Sequence, residues 1–318
     1  MSISVSVIVP CYNASRWIRQ ALQSVVAQKF SNLEMIVVDD GSTDDSHDII
    51  HREFAFVRLV RTANQGASYA RNLGTSLATG KFIQYLDADD LLAAGKIRMQ
   101  IDALEKSGGD VAYGDWQKLV PSGDGFVPGE VIAGMMTGEP EIELFGSFWC
   151  PPAAYLFRRS IADKVAGWNV GLPIIQDARF ALDCALHGGT FVYCEGLMAY
   201  YRAHQAGSLS RRSKAAFTRD VYRNAKEVEQ WWREHAGITD PRKEALAECL
   251  GYVARATYDR DPETFEAAVK DLERLYPDYA PAGPLHFRVA SKLFGYRQAE
   301  SLAAHYRRAK RSFALGSK

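Results

Sequence analysis

The 318-residue sequence predicts an α/β fold: a mainly parallel sheet flanked by helices, followed by a smaller helical region. Three observations predict it. Short, near-continuous apolar runs rich in Val and Ile recur through the first part of the chain, the pattern of strands buried on both faces. Segments of helical period separate them. From residue 211 onward the signals are helical, with Pro241, Pro262, Pro277, Pro281 and Pro284 as punctuation.

Taken in order, Ile3–Val9 reads as the first strand, ended by Pro10. Ala14–Gln28 has helical spacing, with Asn13 as its expected N-cap and Trp17, Ile18, Leu22, Val25 and Val26 available for one face. Leu33–Val38 is a second strand. Thr43 can cap a helix that runs through Phe54, and Phe56–Val60 follows as a third strand. Ala67–Ala78 reads as a helix and Lys81–Leu86 as the fourth strand. Beyond residue 110 the pattern mixes strands at Val111–Tyr113, Ala154–Phe157, Phe191–Tyr193 and Met198–Tyr201 with a helix at Ala178–Leu186. The expected division is a domain over 1–210, with halves 1–110 and 111–210, and a helical region over 211–318.

Hydrophobic residues make up 47% and charged residues 24%, enough apolar material for a sizeable core. The formal net charge is zero, so no global field draws the chain to nucleic acid. That balance hides a split: residues 1–210 carry 17 Lys/Arg against 23 Asp/Glu, and 211–318 carry 21 against 15. Five scattered cysteines, Cys11, Cys150, Cys184, Cys194 and Cys249, match no zinc or redox spacing and read as reduced thiols. The first apolar run lacks a basic flank and stops at Pro10, unlike a signal peptide. No run approaches the roughly 18 apolar residues of a membrane span. The expectation is a cytoplasmic protein.

In an open α/β sheet, ligands bind beyond the carboxyl ends of the strands. Polar clusters follow three strand ends: Cys11-Tyr12-Asn13, Asp39-Asp40-Gly41-Ser42 and Asp87-Ala88-Asp89-Asp90. Converging carboxylates repel bare phosphate unless a divalent cation intervenes, and Mg2+ or Mn2+ takes carboxylate, phosphate and water oxygens. The local chemistry points to a metal–diphosphate ligand. Each motif alone has a plainer reading. The first acidic cluster can be a tight turn, the second a solvated loop with a helix cap. Their common order on matching elements favours the shared site.

These residues resemble family 2 glycosyltransferases with the GT-A-type, Rossmann-like fold. The likeness runs through Val5–Asp44, Asn64-Gln65-Gly66, Ala70-Arg71-Asn72 and Tyr85–Asp90, and more loosely through 150–210. The resemblance implies an inverting enzyme that moves a sugar from a nucleoside-diphosphate sugar, a UDP-sugar by the family's habit. The acceptor would be a hydroxyl of a glycan or lipid-linked glycan. It assigns Pro10, Tyr12, Asp40, Asn64, Arg71, Asp87, Ala88, Asp89 and Arg202 to the nucleotide-sugar. Tyr12 would stack on the base, Asp40 bond its edge, Asp87 meet ribose or sugar, and Arg202 meet phosphate. Asp89 and His204 would ligate Mn2+ or Mg2+, with Gly207 and Ser208 in a closing loop. Asp177 would be the general base. Its family partner, the preceding acid, is here Gln176, which keeps open a catalytically inactive nucleotide-sugar-binding protein as the alternative. Trp168 is a candidate sugar-stacking wall, although a tryptophan is more often core.

Other α/β chemistries fit less well. A dinucleotide-binding oxidoreductase needs glycines after the first strand, where Pro10-Cys11-Tyr12-Asn13 stands. An aspartyl-nucleophile phosphatase needs its acidic pair there too, and a nucleotidyltransferase a glycine-rich basic loop. Gln230-Trp231-Trp232-Arg233 is similar to the QxxRW motif of processive synthases, but Glu234 stands where that motif has Trp. It reads as a helix with buried Trp faces, and transfer of single residues is expected. The segment Phe287–Phe313 combines apolar and basic residues. It is either a solvated helix face or a basic surface for peripheral docking on anionic lipid, and it leaves an oligomer surface open.

Overall fold

The computed structural model describes residues 4–123, 125–203, 213–277, 279–280 and 284–315, with side chains described as far as Arg308. The chain forms two compact units, Met1–Ser208 and Leu209–Lys318.

The first unit is built on a nine-stranded sheet. Strands β1 (Val5–Cys11), β2 (Leu33–Asp39), β3 (Arg58–Arg61) and β4 (Phe82–Tyr85) form a parallel set in the order β3-β2-β1-β4. β8 (Leu156–Arg158) continues it antiparallel to β4, then come β6 (Val111–Ser122), β9 (Phe191–Arg202) and the two-residue β5 (Leu91–Leu92). β7 (Gly125–Ile132) pairs with β6 off this path. The sheet is therefore mixed, parallel through its N-terminal strands and in the β6–β9 pair.

Helices cover the sheet because each carries one apolar stripe. α1 (Ile18–Val26) buries Ile18, Ala21, Leu22 and Val25, each large aliphatic contributing roughly 1.5–3 kcal/mol by burial. Val26, expected on that face, is exposed. α3 (Ala67–Leu77) sets Ala70 against Ile36 and Val38, with Leu73, Leu77 and Ala78 around them. α2 (Ser46–Glu53), α4 (Lys96–Ser107), α5 (Pro140–Gly146), α6 (Arg159–Val165) and α7 (Gln176–Leu186) complete the unit.

The departures from expectation have local causes. β9 is one strand where two were expected, because it absorbs a register irregularity opposite Gly114–Trp116, with Gly196 at φ 109°. Such a backbone angle suits glycine. The β6–β7 hairpin was hidden because β7 is largely exposed and lacks a clean alternation. Its tip places Phe126 edge-on to Trp17 at 5.3 Å.

The second unit contains α8 (Lys214–His235), α9 (Asp240–Thr257), α10 (Pro262–Leu275), α11 (Leu285–Phe294) and α12 (Tyr296–Leu315). Ser213 Oγ accepts the Ala216 N–H to cap α8, and Asp261 Oδ1 accepts the Thr264 N–H to cap α10. Pro241 and Pro262 sit in first turns, where a missing N–H costs nothing. Trp232, Leu246, Leu250, Val253, Val269 and Leu272 are buried. Trp232 thus occupies the core expected of the Gln230–Arg233 segment.

A buried polar strut supports the irregular chain between α5 and β8. Lys96 Nζ donates to the Tyr155 carbonyl at 2.7 Å, and Gln100 Nε2 to the Ala154 carbonyl at 2.8 Å. Gln84 Nε2 donates to the Pro152 carbonyl at 3.3 Å. Burial holds the Lys96 ammonium well below the ordinary lysine range. Between that depressed value and the ordinary one, the unfolded chain binds the extra proton, so stability rises with pH. Lys96→Met should remove this component. Urea denaturation at neutral and mildly alkaline pH is expected to show a flatter pH slope for the variant than for the parent.

Candidate active site

The carboxyl ends of β1, β2 and β4 meet where the parallel strand order diverges on either side of β1. The loops there are tied together by short polar side chains. Asn13, at φ 50°, does not cap α1, which begins after Trp17. Its Oδ1 instead accepts the Thr43 N–H at 2.8 Å, and its own N–H donates to Ser42 Oγ at 3.0 Å. Ser46 Oγ accepts the Ala14 N–H, and Asp44 Oδ2 the Ser15 N–H. The amides ahead of α1 are therefore satisfied by the loop that opens α2, so neither loop is set alone.

Asp39 and Asp40 both point inward. Asp39 is fully buried; it accepts the Ser42 N–H and faces His47 and Arg61. Asp40 Oδ1 accepts the Gln65 N–H at 2.9 Å and Oδ2 the Gly66 N–H at 2.7 Å. The base-edge contact that the resemblance implies for Asp40 thus competes with an anchoring role: its carboxylate pins the Asn64–Gly66 loop against β2. Gly41, at φ 78°, has no room for a side chain, since a Cβ would lie 3.0 Å from the Asn64 amide nitrogen. Pro10 is buried in β1, while Tyr12 and Asn64 stand exposed at the rim.

The second cluster follows β4. Asp87 and Asp89 are half-buried, Ala88 and Asp90 buried. The Arg71 guanidinium pairs with Asp87 Oδ1. It lies 4.2 Å above the Trp168 ring, which stacks on Phe180 at 4.4 Å. Trp168 is itself buried and is therefore a platform for Arg71; the sugar-stacking expectation does not hold. Gln176 Oε1 accepts from Arg71 Nη1 at 2.9 Å and from Ser68 Oγ at 2.7 Å. Burial raises the Asp87 carboxyl, Arg71 opposes this, and the charges of Asp89 and Asp177 add to it. Asp90 is pushed well up by burial and by Asp89 and Asp87.

Arg202 departs from its expected task. Its guanidinium donates to the Asp89 carbonyl and to Gln20 Oε1, and it lies 5.0 Å from the Trp17 ring. Its backbone N–H donates to Asp90 Oδ1 at 3.0 Å. With those donors engaged inside the protein, Arg202 braces the acidic loop and is not presented to phosphate. His204, Gly207 and Ser208 lie outside the described residues.

Asp177 occupies the first turn of α7, where the helix dipole favours a carboxylate. Its Oδ2 accepts the Trp149 indole N–H at 2.9 Å. Trp149 packs edge-on to Trp116 at 5.2 Å and Tyr201 at 5.5 Å. Tyr201 is raised by burial and then by Asp90, Asp89, Asp177 and Asp87, so the aromatic group and all four acids share one neighbourhood. Sequence reasoning missed Trp149, which lies in an aperiodic segment with no motif around it.

The oxygen donors suit Mg2+ or Mn2+. Burial and, after it, the charge of neighbouring carboxylates lift Asp87 and Asp90, and a cation relieves both, a second sign of fit. Among the described residues no group of three or more metal-ligating side chains forms a cage.

This sheet order with its acidic crevice is the GT-A fold of nucleotide-sugar glycosyltransferases. Residues 6–165 match the model of glycosyl transferase family 2, and the chain belongs to that family. It is 30% identical over 213 residues to the Escherichia coli UDP-Glc:alpha-D-GlcNAc-diphosphoundecaprenol beta-1,3-glucosyltransferase WfaP, covering 65% of this chain and 79% of that protein. Three longer relatives share 35–37% identity over 121–137 residues, and this chain spans only 18–23% of their length. Among solved structures, residues 1–349 of S. aureus TarS in complex with UDP-GlcNAc superpose with a TM-score of 0.60 at 19% identity, covering 96% of this chain and 92% of that one. The mannosyltransferase PcManGT of Pyrobaculum calidifontis, in complex with GDP-Man and Mn2+, gives 0.57 at 18% identity, covering 96% and 85%.

Removing the Asp40 anchor should be costly. Asp40→Ala leaves the Gln65 and Gly66 amides unpartnered and is expected to lower unfolding free energy by about 1–3 kcal/mol, read by urea denaturation.

Proposed function

We propose that this protein transfers a sugar, with inversion, from a nucleoside-diphosphate sugar to an acceptor hydroxyl, and that Asp177 is the general base. The observation that carries the reading is the Trp149–Asp177 hydrogen bond beside Asp87 and Asp89. One carboxylate stands at a helix start with one oxygen held and the other left to receive a proton. The others form a negative pocket suited to a cation and a diphosphate.

In this reading Tyr12 offers its exposed ring to the base, and the Asn64–Gly66 loop borders it. Arg71 holds Asp87 in place for ribose or sugar hydroxyls, with the Ala88 backbone alongside. Asp89 would hold Mn2+ or Mg2+, which would supply positive charge against the nucleoside diphosphate. The acceptor hydroxyl gives its proton to Asp177 and attacks the anomeric carbon from the face opposite the leaving diphosphate. Gln176 does not vacate the base position: it is turned inward to Ser68 and Arg71, and Asp177 is half-exposed.

UDP-GlcNAc in the TarS complex and the UDP-Glc donor named for WfaP support a UDP-sugar. GDP-Man with Mn2+ in PcManGT supports a divalent ion. The WfaP acceptor, a diphosphoundecaprenol-linked sugar, supports a lipid-linked glycan.

The decisive experiment screens nucleotide-sugars with Mn2+ and measures nucleoside diphosphate release with acceptor glycans. Asp177→Asn is expected to lower kcat about 10²- to 10⁴-fold with donor affinity unchanged. A variant as fast as the parent contradicts the base assignment. Trp149→Phe keeps the ring and loses the N–H. It is expected to lower kcat by about tenfold with donor affinity unchanged. Asp89→Ala should abolish the Mn2+-dependent gain in UDP affinity measured by isothermal titration; undiminished metal dependence contradicts that role.

A further inference from the structure

Helices α11 and α12 of the second unit carry an exposed apolar surface. Leu285, Val289, Leu293, Phe294, Leu302 and Tyr306 are each 44–74% exposed. These six are among only sixteen exposed large hydrophobics in the described residues, yet they fall within one short stretch. On α11, Leu285, Val289 and Leu293 recur at every fourth position and form one stripe, with Arg288 and Lys292 along its edge. Phe287 and Ser291, on the opposite face, are buried. The helix therefore spends its inward face on packing and leaves a second apolar stripe outside.

The charges beside this stripe have one sign. Residues 281–318 contain eight Lys/Arg and a single acid, Glu300. Glu300 is fully buried and paired with Arg307 and Arg255. Arg297 and Arg308 are paired with Glu266 and Asp259. No ion pair among the described residues engages Arg288 or Lys292. An uncovered apolar stripe edged by two uncompensated cations disfavours self-association, because a two-fold axis through it brings like charges together. It complements a surface that is apolar just beneath an anionic layer.

We infer that α11, continued by the Leu302–Tyr306 face of α12, docks on the surface of an anionic phospholipid bilayer. The apolar side chains enter the headgroup–acyl boundary while Arg288 and Lys292 lie among the lipid phosphates. The inference is independent of the transferase reading, since it rests only on residues of the second unit.

The test is co-sedimentation of the full chain with vesicles of phosphatidylcholine alone or mixed with phosphatidylglycerol, at low and high salt. Binding to the mixed vesicles at low salt, reduced at high salt, is expected, with little binding to phosphatidylcholine alone. Arg288→Gln/Lys292→Gln should weaken binding to the anionic vesicles about ten- to thirty-fold. Leu285→Ser/Leu293→Ser should weaken it about tenfold or more. Circular dichroism and nucleotide release in solution should match the parent for both variants. Absence of binding to anionic vesicles at low salt, or equal binding to both vesicle types, overturns the inference. So does a concentration-dependent dimer in sedimentation velocity that Leu285→Ser/Leu293→Ser disperses, which assigns the stripe to a second copy of the chain.

Discussion

The Arg71–Asp87 ion pair is what lets several carboxylates share one crevice. Burial and mutual repulsion lift Asp87, and Arg71 is the opposing charge. The guanidinium is fixed below by the Trp168 ring and at its side by Gln176. A neutral amide at 176 supplies an acceptor without a competing charge, so the full positive charge stays with Asp87. An acid in that place would divide Arg71 between two carboxylates. The departure of Gln176 from the family's acidic pair thus has a local physical reason, and it leaves the neighbouring Asp177 untouched.

A second constraint acts at a distance. Between α5 and β8 the only regular backbone element among the described residues is a single 3-10 turn, Pro152–Ala154, and side chains meet further carbonyls there. Lys96, Gln100 and Gln84 reach them from α4 and β4. That strut settles the backbone just after Trp149, whose indole holds Asp177. Placement of one carboxylate at the crevice therefore depends on a lysine buried on a different helix. The chemistry belongs to the rim of the sheet, but its precision comes from the layer beneath.

Much of this was legible in the sequence where a local pattern carries it. The strands that end at Cys11, Asp39 and Tyr85 announce themselves by apolar runs, and Asp87-Ala88-Asp89-Asp90 by its composition. The family follows from the order of such motifs. What was not legible depends on residues distant in sequence. Asn13 looks like a helix cap and is instead a staple to Thr43, thirty positions on. Arg202 looks like a phosphate ligand, yet its partners are Gln20 and Asp89. Trp149 has no motif at all and gains its meaning only from Asp177. Trp168, read as a sugar wall, is claimed by the core. In each case the partner that satisfies the side chain is supplied by tertiary structure.

The β6–β7 hairpin has a consequence for how the molecule keeps to itself. β7 borders the sheet path and offers a row of backbone groups to any passing strand, with Val127 and Val131 exposed along it. Pro128 interrupts that row because it has no N–H to give. Opposite it lies a register irregularity between Gln117 and Leu119, and irregularities of that kind raise the local twist of an edge. At the far border, β3 is short and carries exposed Arg58 and Arg61. These two edges thus discourage templated growth of the sheet, a safeguard for a fold rich in buried β-branched strands.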